Sequence, residues 1–217
     1  MEMRYSRVVK LFGEEGLEKL QNAKVILLGT GGIGSFALDC LYRTGITNIT
    51  MVDFDTYEES NRNRQIGSDA VDEVKVDVLE KLYPGVVGRN EKIDMDWINN
   101  NDLSSYDLIL DAIDDIPAKV EIIRRYHKKL ISTTGGAKRI DPTKIEYKSL
   151  WQTENDSFAK KIKFELKKRK WNKKFKVVTS NEGAKCTDLG SFVGVTGSFG
   201  LTLCSVAVQK ILAKGSN

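Results

Sequence analysis

Apolar residues in this chain fall into short runs separated by polar stretches of helical length. The first run, Val25-Ile26-Leu27-Leu28, leads directly into Gly29-Thr30-Gly31-Gly32-Ile33-Gly34-Ser35. That order reads as a strand, a glycine turn and a helix from Ser35 to Arg43. A second run, Ile49 to Val52, ends at Asp53 and reads as the next strand. Before them, Val8, Val9, Leu11, Phe12, Leu17 and Leu20 fall close to one helical face between Tyr5 and Leu20, a helix that Gly13 and Gly16 divide in two. Asp55 to Gln65 is polar and reads as a loop with one helical turn. Val71 to Tyr83 reads as a helix closed by Pro84-Gly85. A third strand is expected near Glu91 to Ile93 and a fourth at Leu108-Ile109-Leu110, ending at Asp111. Pro117 opens a helix to about His127, which is expected at the surface or as a cap. Leu130 to Thr133 is the fifth strand, and Lys144 to Leu150 alternates as a strand does.

The pattern changes after Thr153. Residues 153–176 are polar and basic, with Phe158, Phe164, Trp171 and Phe175 interspersed, and read as a partly helical excursion from the sheet. Strand character returns from Phe175 to Thr179. Ser191 to Thr196 reads as a strand end, followed by a helix from Gly197 to Ala213. The expected fold is α/β, a Rossmann-like doubly wound and mostly parallel sheet, with an N-terminal helix, the basic inserted segment and more irregular pairing at its end. At 217 residues with no internal repeat, it is expected to form a single domain over 1–217.

Charge sharpens this outline. The net charge is +4, yet Lys160 to Lys176 holds ten basic residues and one acid, Glu165, leaving the remainder with 24 basic against 29 acidic residues. The basic character is one segment, which suggests a polyanion such as RNA; a solvated charged helix is the plainer alternative. From Phe192 to Gln209 no residue is charged. That length could barely span a bilayer, but Gly194, Gly197 and Gly200 lower its hydropathy. A buried or interface helix is the preferred reading and membrane association the minority one. No secretory leader pattern is expected. The three cysteines, Cys40, Cys186 and Cys204, are widely spaced and contain no C-x-x-C pair. This argues for a reducing, cytoplasmic setting and against a structural zinc site.

The glycine turn carries the first chemistry. Gly29 permits a sharp exit from the strand, Gly31 and Gly32 let backbone approach a phosphate, and Gly34 allows close packing of helix on sheet. The helix N-terminus favours an anion, and Asp53 can accept hydrogen bonds from ribose hydroxyls. A tight turn with no ligand is the alternative. Ser60-Asn61-Arg62-Asn63-Arg64-Gln65 can surround phosphates, and Lys75 can neutralise one. In Asp111-Ala112-Ile113-Asp114-Asp115, at a strand end, a carboxylate can hold Mg²⁺ against phosphates.

These segments, with Arg4-Tyr5-Ser6-Arg7 and Asp53-Phe54-Asp55, resemble the ThiF/MoeB/HesA superfamily, whose members are similar to the adenylation domain of ubiquitin-activating enzymes. The resemblance covers nearly the whole chain. It implies ATP, Mg²⁺, adenylation of a carboxylate and a homodimer; a monovalent cation is a further candidate. It further implies that Asp53 holds ribose, Arg64 and Lys75 bind phosphates, Asp114 holds Mg²⁺, and Arg7 reaches into the partner subunit's site. Gly29, Gly31, Gly32, Gly34, Asp55, Ser60, Asn61, Asn63, Gln65 and Asp115 complete the implied nucleotide contacts. The superfamily commonly has a Gly shortly before the Lys, where Val71-Asp72-Glu73-Val74 stands here.

Within the superfamily, residues 135–145, Val177 to Glu182 and Ser191 to Gly200 are similar to tRNA threonylcarbamoyladenosine dehydratases. The missing zinc cysteines agree with that branch. It implies a tRNA adenosine bearing a threonylcarbamoyl group beside the anticodon, whose carboxylate is adenylated and then closed into a ring. On the substrate side, Lys138, Arg139, Lys168, Arg169 and Trp171 are candidates. Trp171 or Phe175 is offered as a base-stacking residue, with packing as the commoner alternative. Cys186 is a candidate for sulfur handling with a sulfur-transfer protein, or a plain thiol. Adenylation of the C-terminal glycine of a ubiquitin-like sulfur carrier is the first alternative function. An NAD-dependent dehydrogenase is the second, and a non-catalytic binding protein the third.

Overall fold

The structure is a computed structural model that describes residues 3–213; residues 1–2 and 214–217 of the expected domain lie outside the described residues. Seven strands form one sheet: β1 (Val25–Leu28), β2 (Ile49–Asp53), β3 (Val87–Asn90), β4 (Leu108–Asp111), β5 (Leu130–Thr133), β6 (Ile145–Ser149) and β7 (Lys176–Ser180). Their order is β3-β2-β1-β4-β5-β7-β6. All neighbours are parallel except the edge pair β6 and β7. This is the expected mostly parallel α/β sheet, with its irregular pairing at the end.

Among the described residues seven α-helices flank the sheet: α1 (Ser6–Asn22), α2 (Gly34–Thr44), α3 (Lys75–Leu82), α4 (Met95–Asn100), α5 (Ile116–Tyr126), α6 (Ser157–Lys168) and α7 (Val193–Ala213). Strand β1 shows why both faces need covering. Val25 and Leu27 pack with Leu38, Leu41, Phe199 and Leu203 on one side. Ile26 and Leu28 pack with Ile109, Ile122, Ile123 and Ile162 on the other. Alternation of side chains along an all-apolar strand therefore serves two cores, each full burial contributing about 1.5–3 kcal/mol. The strand order reverses between β1 and β4. Their register pairs Leu28 with Asp111, so the turn after β1 and the acids after β4 share one sheet edge.

Several expected elements shift. Helix α1 is interrupted at Gly13 alone, where φ is 78°, and Gly16 stays helical. Helix α3 begins at Lys75, not Val71, because residues 71–74 fold back on the preceding loop. Thr56 bridges Val74, Tyr57 N–H donates to Glu73 O at 2.9 Å, and Asp72 turns left-handed with φ 69°. The third strand is Val87–Asn90, not Glu91 to Ile93. It is a partly exposed edge strand whose Gly88 lets it pass Val76 closely: a Cβ there would lie 3.0 Å from Val76 Cβ. Helix α4 has no counterpart in the sequence reading. Its start is fixed by Asp94, which accepts from Trp97 N–H at 2.9 Å.

The expected strand end at Ser191 to Thr196 is also corrected, since α7 already begins at Val193. The helix is long and apolar enough to cross a membrane, with mean hydropathy 1.4, yet 61% of that window is buried within the protein. Its glycines lie against α2: a Cβ on Gly200 would meet Ile33 O at 2.4 Å, and one on Gly197 would meet Phe36 at 3.2 Å.

Candidate active site

The C-terminal ends of β1, β2 and β4 open into a cleft of about 920 Å³, near the top of the ~300–1,000 Å³ range of small-molecule sites. Its floor is the glycine turn. Gly29, with φ 87°, turns the chain out of β1, and its N–H donates to Val52 O at 2.9 Å. The amides of Gly31, Gly32, Ile33 and Gly34 find no acceptor among the described residues. These amides open α2, so backbone donors and helix dipole present a seat for an anion. Asp53 braces the turn: its Oδ2 accepts from Thr30 N–H at 2.7 Å and Thr30 Oγ1 at 3.0 Å, and its Oδ1 from Asp55 N–H at 3.0 Å.

Lys75 is buried, and its Nζ reaches Asp55 Oδ2 at 2.9 Å at the cleft wall. Arg64 Nη1 donates to Ser60 O at 2.6 Å and Asn63 Oδ1 at 2.8 Å, both neutral acceptors, so no carboxylate neutralises its charge. Gln65 Oε1 is buried without a partner. Four unsatisfied amide donors fit a phosphate, and the orphaned Gln65 acceptor fits a hydroxyl or amino donor of the same ligand. Val52, Phe54, Ile93 and Ile113 supply an apolar stretch of wall suited to a base.

Asp114 is exposed at the cleft and forms no hydrogen bond or ion pair among the described residues. No group of three or more His, Cys, Asp or Glu side chains suited to a metal exists among those residues. A divalent ion held by Asp114 would therefore take its other oxygens from phosphate and water, the usual Mg²⁺ arrangement. Asp115 caps α5, accepting from Ala118 N–H at 2.8 Å.

One residue absent from the sequence reading, Lys119, organises this edge together with Asp111. Lys119 Nζ is wholly buried and donates to Asp111 Oδ2 at 2.7 Å, Thr133 O at 3.1 Å and Ser132 Oγ at 3.3 Å. Burial pushes the Lys119 pKa down, and the Asp111 carboxylate opposes that shift. Asp111 Oδ1 in turn accepts from Ile113 N–H at 3.2 Å, shaping the turn that carries Asp114. The signal available was a lysine set in the apolar face Ala118-Val120-Ile122-Ile123.

The opposite wall comes from residues 135–139, 155–161 and 184–191. Glu182 ties two of these segments, accepting from Asp141 N–H at 2.8 Å and Ile140 N–H at 3.0 Å. Burial raises its pKa, but those two donors bring it below the usual carboxylate range. Arg139 is buried in bonds to Glu182 O, Gly135 O and Asp156 Oδ2, so it shapes the wall and its guanidinium is not free for substrate. Lys138 lines the cleft, its Nζ donating to Thr187 O.

Asn61 lines the cleft while held in a capping box with Glu58. Other expected residues lie elsewhere: Asn63 Nδ2 donates to Ser191 O at 3.2 Å, and Ser60 Oγ donates to Glu58 at 3.3 Å. Ser60 and Asn63 do not line the cleft. Arg7 is exposed on α1, outside this cleft. Cys186 is exposed, with Sγ donating to Asp188 O at 3.3 Å. Lys168 and Arg169 stand at the far end of α6, where Arg169 pairs with Glu121 at 3.1 Å. Trp171 is corrected: it is 8% exposed and packs against His127, Trp151 and Phe175, so it offers no face to a base. Phe175 is likewise interior. His127 caps the end of α5 as expected.

Comparison with known proteins places this geometry. A model of the ThiF family matches residues 5–217. The chain is 32% identical over 189 residues to the tRNA threonylcarbamoyladenosine dehydratase of Bacillus subtilis, covering 82% of this chain and 74% of that protein. The Escherichia coli tRNA N6-threonylcarbamoyladenosine dehydratase in complex with AMP is similar at TM-score 0.91 and 30% identity, over 99% of this chain and 96% of that one. Its complex with ATP gives TM-score 0.90 and 31% identity, over 98% and 95%.

Proposed function

Because this chain belongs to the ThiF family, we propose that it dehydrates N6-threonylcarbamoyladenosine in tRNA by adenylating the threonine carboxylate with ATP. The observation that carries this reading is the near-complete likeness to an enzyme of that name whose structures hold ATP and AMP. A second support is the cleft itself, where unsatisfied amides, Gln65, Arg64 and Lys75 converge on one seat.

A carboxylate resists attack because oxide is a poor leaving group. Transfer of AMP from ATP makes a mixed anhydride and releases pyrophosphate. An internal nitrogen or oxygen of the same modification then attacks the activated carbonyl and expels AMP. The ring closes with net loss of water. The glycine-turn amides and Arg64 hold phosphate oxygens, and Lys75, released from Asp55, stabilises charge developing on the transferred phosphate. Asp53 accepts from ribose hydroxyls, and Asp114 would hold Mg²⁺, which would supply Lewis-acid neutralisation of phosphate charge. Alignment of the carboxylate with the α-phosphate supplies much of the remaining barrier reduction.

The exposed lysines of the basic segment contact the tRNA backbone. A homodimer, with Arg7 crossing to the partner's cleft, and a cytoplasmic setting belong to the same reading. The exposed Cys186 thiol is where a sulfur-transfer partner would act. The test is labelled-pyrophosphate exchange into ATP with modified tRNA supplied, followed by nucleoside mass spectrometry for the cyclised base. Exchange with a ubiquitin-like carrier tail, and none with tRNA, would overturn the assignment.

A further inference from the structure

The burial of Trp171 and Phe175 removes the aromatic residues that sequence offers for stacking on RNA. Helix α6 places a different one at the surface. Its buried face is Ala159, Ile162 and Leu166, packed into the core with α5. Phe164 falls on the opposite side and is 65% exposed. A single exposed aromatic carries no meaning by itself; its setting does. Phe164, Ile116, Lys160, Lys161 and Glu165 line a shallow hollow of about 350 Å³. Ile116 and Lys161 also line the main cleft, so the hollow adjoins it. Neither Lys160 nor Lys161 forms an ion pair among the described residues, and Lys167 and Lys168 continue the unpaired charge along α6.

We propose that Phe164, backed by Ile116, is a stacking platform for a base of the substrate RNA that neighbours the modified adenosine, with Lys160 and Lys161 holding its flanking phosphates. This rests on the tRNA reading above and deepens it. An aromatic floor bordered by two lysines without acidic partners suits a flat π-face on a polyanion. The position also fits: a base next to the reacting nucleotide must leave the cleft at its rim.

The test uses a modified anticodon stem-loop and the full-length protein. Phe164→Ala is expected to raise KM for the stem-loop roughly ten- to a hundred-fold while leaving the KM for ATP unchanged. Phe164→Trp restores the low KM; Phe164→Leu does not. A 2-aminopurine placed beside the modified adenosine is quenched by the parent and by Phe164→Trp, and not by Phe164→Ala. Equal KM and equal quenching in parent and Phe164→Ala overturn the platform alone. Restoration by Phe164→Leu also overturns it, since an apolar contact would then suffice, as does a change in oligomeric mass on Phe164→Ala. A parent protein that neither binds nor converts the stem-loop overturns the dehydratase reading and the platform together.

Discussion

Lys119 Nζ lies 2.7 Å from Asp111 Oδ2, and neither side chain reaches solvent. Such a pair is costly to break from one side, because the remaining charge stays in a low-dielectric interior. Lys119→Met is expected to cost about 3–5 kcal/mol and to lower Tm on the order of 10 °C. Adding Asp111→Leu should recover part of that loss. Differential scanning calorimetry decides it; an unchanged Tm for Lys119→Met would show that the pair carries no buried charge.

Asp114 is the converse case. It is exposed and bonds to nothing among the described residues, so Asp114→Ala should leave Tm within about 2 °C, as for surface changes. AMP release should fall at least ~100-fold. Unaltered turnover would remove the metal-holding role.

Two glycines of the turn should separate folding from binding. A Cβ on Gly34 would lie 1.9 Å from Gly29 O, so Gly34→Ala must displace the turn and is expected to destabilise by roughly 3 kcal/mol or more. A Cβ on Gly31 meets only Gln65 Nε2, at 4.0 Å. Gly31→Ala should fold with parental Tm and lose ATP affinity by roughly tenfold or more, because the methyl stands where phosphate must approach. Calorimetric titration with ATP measures the second effect; parental affinity would place the phosphates elsewhere.

Glu121 gives the pH prediction. Burial raises its pKa, yet hydrogen bonds from Arg125 and Arg124 outweigh burial and hold it below the ordinary glutamate range. The folded state thus favours the ionised form. Its contribution is fully present above about pH 4.5, the unfolded range, and is lost as pH falls through the depressed folded value. Glu121→Gln should lower stability at neutral pH and flatten the decline on acidification. Urea midpoints followed from about pH 6 to about pH 3 would show it, and parallel curves for both proteins would contradict it.

Much of the nucleotide half of the cleft was legible because its signals are local. A glycine turn between Leu28 and α2, and an acid ending β2, are fixed by neighbouring residues alone. The arrangement of the other half depends on which helix face meets which neighbour. Trp171 and Phe164 look alike in sequence, seven positions apart, but Phe164 stays on the exposed face of α6, whereas the left-handed turn at Lys170 (φ 56°), past the helix end, brings Trp171 in against His127, Trp151 and Phe175. Arg139 reads as a substrate-side cation and Lys119 draws no reading until their partners Asp111, Asp156 and Glu182 are brought beside them. Strand β3 was displaced because Val87-Gly88-Arg89-Asn90 has no alternation to read; its place comes from pairing with β2. Residues 71–74 carry a helical pattern that loses to the bridge between Thr56 and Val74.

Gly197 and Gly200 let α7 ride so close to α2 that backbone nearly meets backbone. A helix wedged in this way cannot slide or tilt without dragging its neighbour, and that neighbour begins at the phosphate seat. The nucleotide half is therefore a fixed anvil. Whatever adjustment a bulky RNA demands falls to the irregular segments at residues 135–140 and 182–191, which are joined through the Glu182 carboxylate, the Lys138 and Arg139 side chains and a few backbone bonds.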